Sequence, residues 1–207
     1  MKIELGFLPD KWISDAPDSG GFFPFAIDGK MEYIVEFSLE RETETEQFLL
    51  KYMHLLNKFP MFVMAEIYDY QRDELEQDCH LLKIKFETIN PKKKNDCFYK
   101  IRIDNTEQFE TIFPFLYGNG SMNNMVLWSL ETDVFSYGKR KFKNSFFNRE
   151  KHTVIVSMTD KNSVFWISYD GSSVVAISND KHFSTINEIT STLPSEVSYE
   201  VSEYEDD

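Results

Sequence analysis

Alternation of apolar and polar residues between Met31 and Glu40 is the sequence feature that most limits how this chain can fold. The apolar members of the alternation are Met31, Tyr33, Val35, Phe37 and Leu39. A period of two residues is typical of a β-strand that has one buried face and one solvated face. Glu32, Glu36 and Glu40 fall on the opposite face, so the sequence predicts a strand with an acidic outer surface.

A helix is predicted directly after this strand. Thr43 and Glu46 have the spacing of a capping box, in which two side chains satisfy backbone N–H groups at the start of a helix. The apolar residues that follow form one stripe at helical spacing, made of Phe48, Leu49, Tyr52, Met53, Leu55 and Leu56. We expect the helix to end near Phe59, because Pro60 disfavours helical geometry in the residue before it.

Two shorter helices are predicted later in the chain. The first begins after Asp104 or Asn105, either of which can serve as its N-cap. Its expected end is Phe113, because Pro114 cannot donate a hydrogen bond in a helix interior. The second is expected over Ser184–Thr190, with its first residue as the cap.

Further strands are predicted where apolar residues alternate with polar ones, or where a short apolar run lies between turn-forming residues. These strands are Met61–Tyr70, a hairpin of Leu82–Phe86 with Tyr99–Ile103, Met125–Tyr137, Thr153–Met158, Val164–Tyr169 and Val174–Ser178. Asp170-Gly171 is a hairpin turn signal between the last two. Two segments are expected to be loops: the charged run Gln71–Asp78, as a loop or a short helical turn, and Tyr117–Asn124, which is rich in glycine and asparagine.

This order of elements predicts the α+β class, with a mainly antiparallel β-sheet and two or three helices packed on it. We expect a single domain over residues 1–194 and an acidic C-terminal tail over 195–207 that frays. The tetrapeptide Thr-Glu-Gln-Phe occurs at Thr45–Phe48 and again at Thr106–Phe109. A division of the domain into two β-α-β-β halves, about 28–90 and 97–180, therefore stays open.

The charge of the chain is concentrated at its two ends. Of the 207 residues, 35 are acidic and 22 are basic, which gives a formal net charge of −13. Residues 1–50 and residues 151–207 each have a net charge of −7, whereas the segments between them are close to neutral. Such a balance argues against a general binder of nucleic acid or anionic membrane. No segment has the apolar length of a membrane span, so we expect a soluble cytoplasmic protein.

Motifs that carry chemistry are scarce in this sequence. The four histidines have no metal-ligand spacing, and the Cys79-His80 pair is interpreted as a buried thiol beside an exposed imidazole. Gly118-Asn119-Gly120 lacks the rest of a phosphate-binding fingerprint and indicates a turn. We therefore predict no catalytic set, no metal site and no cofactor.

Acidic and aromatic side chains form the candidate partner-binding site. Its predicted members are Glu32, Glu36, Glu40, Glu42, Glu44, Tyr199, Glu203, Tyr204 and Glu205. Two simpler explanations stay open: the carboxylates at the helix start are stabilised by the helix dipole, and the strand carboxylates could pair with Lys83 and Lys85 on a neighbouring strand.

These observations favour a protein-binding role over catalysis. The leading hypothesis is an inhibitor or immunity-type protein that neutralises a toxin, a nuclease or another basic protein, because opposite fields speed association. One alternative is a hydrolase-like enzyme whose site contains the distant carboxylates Glu66, Asp69, Glu131 and Asp133. A second alternative is a nucleic-acid-associated protein that uses the basic, phenylalanine-containing loop 139–151.

Overall fold

The computed structural model describes residues 1–9, 13, 22–89, 97–141 and 150–204 of the chain. This part contains twelve strands and four α-helices. The strands are β1 (Lys2–Phe7), β2 (Ala26–Asp28), β3 (Tyr33–Leu39), β4 (Met61–Glu66), β5 (Lys85–Ile89), β6 (Phe98–Ile103), β7 (Val126–Leu130), β8 (Phe135–Lys141), β9 (Glu150–Ser157), β10 (Ser163–Ile167), β11 (Ser173–Ser178) and β12 (Ser198–Val201). The helices are α1 (Glu42–Leu56), α2 (Arg72–Leu81), α3 (Thr106–Ser121) and α4 (Ile186–Thr190). The α+β class is confirmed, with four helices where two or three were expected.

Nine strands form one large sheet in the order β12-β1-β3-β11-β10-β7-β4-β6-β5. Adjacent strands in this sheet are antiparallel, except that β12 runs parallel to β1. The predicted hairpin is confirmed by the pairing of β5 with β6, but its first strand is Lys85–Ile89 and not Leu82–Phe86. Its loop, 90–96, lies outside the described residues. The hairpin turn between β10 and β11 is also confirmed, since Asp170 and Gly171 both have left-handed backbone angles (φ 63° and 67°).

The helices cover one face of the large sheet and form the main core. Phe48, Leu49, Tyr52 and Met53 of α1 are fully buried there, against strand residues such as Phe37. The apolar stripe predicted for this helix is therefore confirmed for these four residues, whereas Leu55 is 54% exposed, and the limits of the helix differ from those predicted. The helix begins at Glu42 without a side-chain cap, so the capping box at Thr43 and Glu46 is wrong, and it ends at Leu56, where Asn57 adopts the left-handed conformation.

A smaller sheet, in the order β2-β9-β8, packs on the other face of the large sheet. Its side chains form a second core with residues of β3, β4, β7, β10 and β11, including Ile34, Met64, Leu127, Trp166 and Val175. The prediction of a fully solvated outer face on β3 is therefore wrong for its N-terminal half, where Ile34 is buried. The expected strand Met125–Tyr137 is divided into two strands, because β7 belongs to the large sheet and β8 to the small one.

Helix α3 extends past Pro114, and the loop predicted over Tyr117–Asn124 is wrong. A proline in a helix interior costs roughly 3 kcal/mol, and in α3 the burial of a full apolar stripe offsets that cost. The stripe consists of Phe109, Ile112, Phe113, Leu116 and Tyr117. Gly120 lies in the last turn because the helix closely approaches β10: a Cβ atom there would lie 2.7 Å from Cδ1 of Ile167. The expected cap is confirmed, since the Asn105 side chain accepts a hydrogen bond from the N–H of Gln108.

Helix α2 replaces the loop or short turn predicted over Gln71–Asp78. Its sequence is mostly charged, and only Leu75 and Cys79 are buried, one helical turn apart. Two apolar positions were too few to produce a helical pattern in the sequence, yet they are enough to attach the helix to the core. The expected short helix near the C-terminus is also present as α4, with Thr185 rather than Ser184 as its N-cap.

The C-terminal segment forms the outermost strand of the large sheet rather than a frayed tail. Ser198–Val201 pairs with Lys2–Leu5 of β1 as β12, and the sequence analysis missed both strands because their pairing joins the two ends of the sequence. The repeated tetrapeptide lies in α1 and in α3, but in the fourth to seventh helical residues of α1 and the first four of α3. The division into two halves stays a prediction.

Candidate functional site

Acidic side chains meet on one face of the sheet where β12, β1 and β3 lie side by side. We call this surface the acidic corner; it consists of Lys2, Glu4, Gly6, Glu36, Ser38, Glu40, Ser198, Glu200 and Ser202. The register places Glu4 opposite both Ser38 and Glu200, and Gly6 opposite Glu36. The alternate residues of these strands, such as Ile3, Leu5 and Phe37, face the helix-side core.

The acidic corner combines the two acidic ends of the sequence. Glu4, Glu36 and Glu40 come from residues 1–50 and Glu200 from residues 151–207, the two segments that each have a net charge of −7. The parallel pairing of β12 with β1 places them together. Of the residues of β3, only Ile34 is buried in the second core. Glu4, Glu40 and Glu200 are exposed to solvent.

Lys2 is the basic member of the acidic corner. Its Nζ atom lies 2.8 Å from Oε1 of Glu200, and both side chains are more than half exposed. The hydrogen bond with Glu200, together with the fields of Glu200, Glu40 and Glu4, raises the pKa of Lys2 above its usual value. The acidic corner contains one ammonium group and four carboxylates, so the surface is strongly negative.

Glu36 is the half-buried member of the acidic corner and binds two hydroxyl groups. Tyr204 donates a hydrogen bond to its Oε2 atom over 2.6 Å, and Ser173 donates one to its Oε1 atom over 2.7 Å. The hydroxyl of Ser173 also contacts that of Ser168. Burial, together with the negative charges of Glu36 and Glu4, raises the pKa of the Tyr204 phenol, so Tyr204 stays a neutral donor at physiological pH.

The structure separates the other predicted partner-binding residues. Glu32 lies before β3, where its carboxylate is 3.0 Å from the Lys30 ammonium group. Glu44 lies in the first turns of α1, half-buried. Tyr199 and Glu203 are exposed on and after β12. The side chain of Glu42 and all of Glu205 lie outside the part of the chain that the structure describes.

The expected pairing of strand carboxylates with Lys83 and Lys85 is not present. The neighbours of β3 are β1 and β11, and Lys85 lies on β5 at the opposite edge of the sheet. The acids of the corner are therefore not neutralised by that strand. Sequence reasoning missed Glu4 and Glu200, although both lie in short stretches of alternating polar and apolar residues that could have indicated strands.

The four carboxylates proposed for an enzyme occupy two separate places. Glu131 follows β7, where its N–H donates to the carbonyl of Pro60 just before β4, whereas Glu66 is the last residue of β4. Six residues of strand at about 3.3 Å each separate these places by roughly 20 Å. Asp133 is paired with Lys100 at 2.6 Å and Asp69 with Arg72 at 3.3 Å. The geometry therefore does not unite the four in one site.

The basic segment predicted to bind nucleic acid is only partly described. Residues Lys139–Lys141 belong to β8, where the Arg140 guanidinium pairs with the Asp28 carboxylate. Residues 142–149 and the side chain of Lys151 lie outside the described part. Binding of nucleic acid by this loop therefore stays a prediction.

Neither cysteine resembles a reactive nucleophile. Both Cys79 and Cys97 are free and buried, and burial raises the pKa of the Cys79 thiol to about 12 and that of the Cys97 thiol in the same direction. His80 is exposed, as expected. Among the residues that the structure describes, no group of three potential metal ligands comes together, and no helix is long and apolar enough to cross a membrane.

An open groove of about 500 Å³ lies away from the acidic corner, between α1 and the segment before β12. Leu50, Leu55 and Pro194 contribute apolar surface to it. At its rim, Lys51 pairs with Glu196 at 2.6 Å and His54 with Glu110 at 3.2 Å. The polar groups at its rim interact with one another, so they do not single out a partner of either sign.

Comparison with known proteins finds no matching family model, no similar curated protein and no similar solved structure. Function is therefore inferred from the chemistry of the acidic corner.

Proposed function

We propose that this protein is a cytoplasmic protein-binding module of the inhibitor or immunity type, which neutralises a basic protein such as a toxin or a nuclease. The observation that supports the proposal is the acidic corner, in which Lys2 lies among the carboxylates of Glu4, Glu40 and Glu200, with Glu36 further along the same face. Three of these carboxylates, those of Glu4, Glu40 and Glu200, are exposed. Glu200 pairs with Lys2, and the carboxylates of Glu4 and Glu40 are accessible to lysine and arginine side chains of a partner.

The long-range field supports the same partner chemistry. A net charge of −13 attracts a basic protein before contact and repels a polyanion. Electrostatic attraction of this kind raises association rates up to about 10⁸–10⁹ M⁻¹s⁻¹ at low salt. The field therefore favours a basic protein as the partner over a nucleic acid.

Two exposed apolar side chains lie at the edge of the sheet, on the face opposite the carboxylates. Tyr199 is 44% exposed and Val201 is 52% exposed, and both belong to the edge strand β12. Their register partners Ile3 and Leu5 face the helix-side core, so Tyr199 and Val201 are not part of the acidic corner. A contact of Tyr199 with the partner therefore stays a prediction.

Capture from an extract of the native source tests the proposal. The tagged protein is incubated with extract at low salt, eluted by a salt step, and the recovered proteins are identified by mass spectrometry. We expect one basic protein in near-equimolar amount, because opposite charges bind best at low ionic strength. Its activity, for example as a nuclease, should be inhibited by the purified protein.

A pair of matched variants identifies the surface. Glu4→Lys/Glu40→Lys reverses two exposed charges of the acidic corner, and Glu87→Lys/Glu74→Lys reverses two exposed charges elsewhere, on β5 and α2. The first variant should lose the basic protein while the second retains it. Equal recovery with both variants, or recovery of nothing stoichiometric by the folded wild type, would contradict the proposal.

A further inference from the structure

The segment Ser198–Tyr204, which we call the C-terminal strap, lies along the acidic corner. Its strand β12 pairs with β1 on one side and is the edge of the sheet on the other. All four residues of β12 are exposed. The strap continues through a hydrogen bond from the Ser202 N–H to the Leu5 carbonyl and then places Tyr204 next to Glu36.

Gly6 makes room for the strap. A Cβ atom at this position would lie 2.6 Å from Cε2 of Tyr204 and 2.7 Å from the carbonyl oxygen of Ser202. The ring of Tyr204 therefore rests on the backbone of β1, and its hydroxyl reaches Oε2 of Glu36 over 2.6 Å. The backbone of Gly6 and the carboxylate of Glu36 together form a seat for one ring with one hydrogen-bond donor.

The strap is held through β1 on one side, through a hydrogen bond from the Ser202 hydroxyl to Oε2 of Glu4 and through packing of Tyr204 against the second core, and one of its strand contacts is unfavourable. Glu200 lies directly opposite Glu4 in the register, and like charges at opposite positions destabilise strand pairing. The Lys2–Glu200 pair is more than half exposed, and exposed ion pairs contribute little. By contrast, β3 is paired on both sides along its length. The strap is thus the weakest-held strand of this corner.

We propose that the C-terminal strap is displaceable, and that Tyr204 occupies on Glu36 the position that a lysine or arginine side chain of the basic partner takes in the complex. This inference rests on the proposed function. A cationic donor satisfies the same carboxylate as the phenol does and also neutralises the negative charges of Glu36 and Glu4, which a neutral hydroxyl leaves in place. Displacement of the strap itself separates Glu200 from Glu4. The strap keeps Glu36 hydrogen-bonded until the partner arrives.

A disulfide that fixes the strap tests this directly on the full chain. Glu4→Cys/Glu200→Cys joins register partners, whose strands lie about 4.8 Å apart, within the span of a disulfide. The reduced form is the matched control because it has the same charge, and the native cysteines are buried. The probe is fluorescein-labelled octalysine, and its affinity is measured by fluorescence anisotropy at low salt.

We expect the oxidised variant to bind octalysine at least about fivefold more weakly than the reduced variant, since the fixed strap keeps Glu36 covered. A second variant, Tyr204→Phe, leaves the ring in place and removes the competing donor, so it should bind octalysine more tightly than the wild type. Hydrogen exchange on the wild-type chain should show faster exchange of residues 198–204 when octalysine is added, while β3 becomes more protected.

Two results would overturn the inference in distinguishable ways. If Glu40→Gln weakens octalysine binding more than the matched Glu87→Gln, while oxidised and reduced forms bind alike and Tyr204→Phe matches the wild type, the acidic corner binds cations but the strap does not move. If Glu40→Gln and Glu87→Gln weaken binding equally, the affinity reflects net charge alone. The proposed function and the displaceable strap would then both be wrong.

Discussion

Gly6 shows how one small residue determines the shape of the acidic corner. Its backbone is the surface on which the ring of Tyr204 rests, and a side chain there would meet that ring and the Ser202 carbonyl. The requirement is invisible in the sequence, because Gly6 lies within an otherwise ordinary strand and its partner is almost two hundred residues away. Residues of this kind can be identified only once the contact is known.

Substitution of Gly6 by alanine should therefore destabilise the protein. We expect Gly6→Ala to lower the free energy of unfolding by about 1–3 kcal/mol, the usual cost of forcing an extra group into a packed position. Urea denaturation measures the change. Gly118→Ala is the matched control: a Cβ atom there meets nothing within 4 Å, and alanine in a helix interior should stabilise α3 by roughly 0.5–1 kcal/mol. Destabilisation by both variants would contradict this account of Gly6.

His182 gives the protein a pH-dependent stability. Its Nε2 atom lies 2.8 Å from Thr192 Oγ1 and 3.4 Å from the Tyr52 hydroxyl, both of which can donate to a neutral ring. Burial lowers the pKa of His182 below 6.5, against the opposing field of Asp180. The unfolded chain therefore binds a proton at higher pH than the folded chain, so this histidine reduces stability as the pH falls below about 6.5.

Replacement of His182 by glutamine should remove that part of the pH dependence. The difference in the free energy of unfolding between pH 7.5 and pH 5.5 should be smaller for His182→Gln than for the wild type, whatever the change in stability at pH 7.5. Urea denaturation at the two pH values gives both differences. His80→Gln, at an exposed position, serves as the control. An unchanged pH dependence in His182→Gln would refute the assignment.

At the scale of elements, strong periodic patterns were predictive and mixed ones were not. The alternation at Met31–Glu40 and the apolar stripe of α1 correctly predicted β3 and the first helix. The expected end of α3 at Phe113 is wrong, because the sequence does not show how much apolar surface the helix buries beyond Pro114. Strands β1, β2 and β12 were missed, since each gains its stability from partners that are distant in the sequence.

Pro114 gives a direct test of the balance between the cost of a proline inside α3 and the burial of the apolar stripe of that helix. Pro114 is exposed within a helix that continues to Ser121, so its missing N–H and its ring weaken the helix without contributing to the core. We expect Pro114→Ala to raise the free energy of unfolding by about 1–2 kcal/mol, less than the full helix-interior cost because proline also restricts the unfolded chain. Chemical denaturation provides the value. A loss of stability would indicate that the proline is required by the packing of α3.

At the scale of the whole molecule, the fold gathers charge that the sequence distributes to both ends. The helix-side core and the small sheet cover most of the large sheet, and the corner that they leave exposed carries Glu4, Glu40 and Glu200. Composition predicted an acidic surface, and the β3 pattern predicted two of its members, Glu36 and Glu40. The contribution of the two chain ends depends on the parallel pairing of β12 with β1, which no local pattern encodes.

The salt dependence of association tests the central claim most directly. Association rates of the captured basic protein are measured by stopped-flow across a range of salt concentrations, for the wild type, Glu4→Gln/Glu40→Gln and the matched Glu87→Gln/Glu74→Gln. The account predicts a wild-type rate that falls steeply with salt, and a corner variant that associates about tenfold more slowly at low salt with a flatter dependence. The matched variant should stay close to the wild type. Equal rates and equal salt dependence in all three proteins would show that the acidic corner is not the surface that receives the partner.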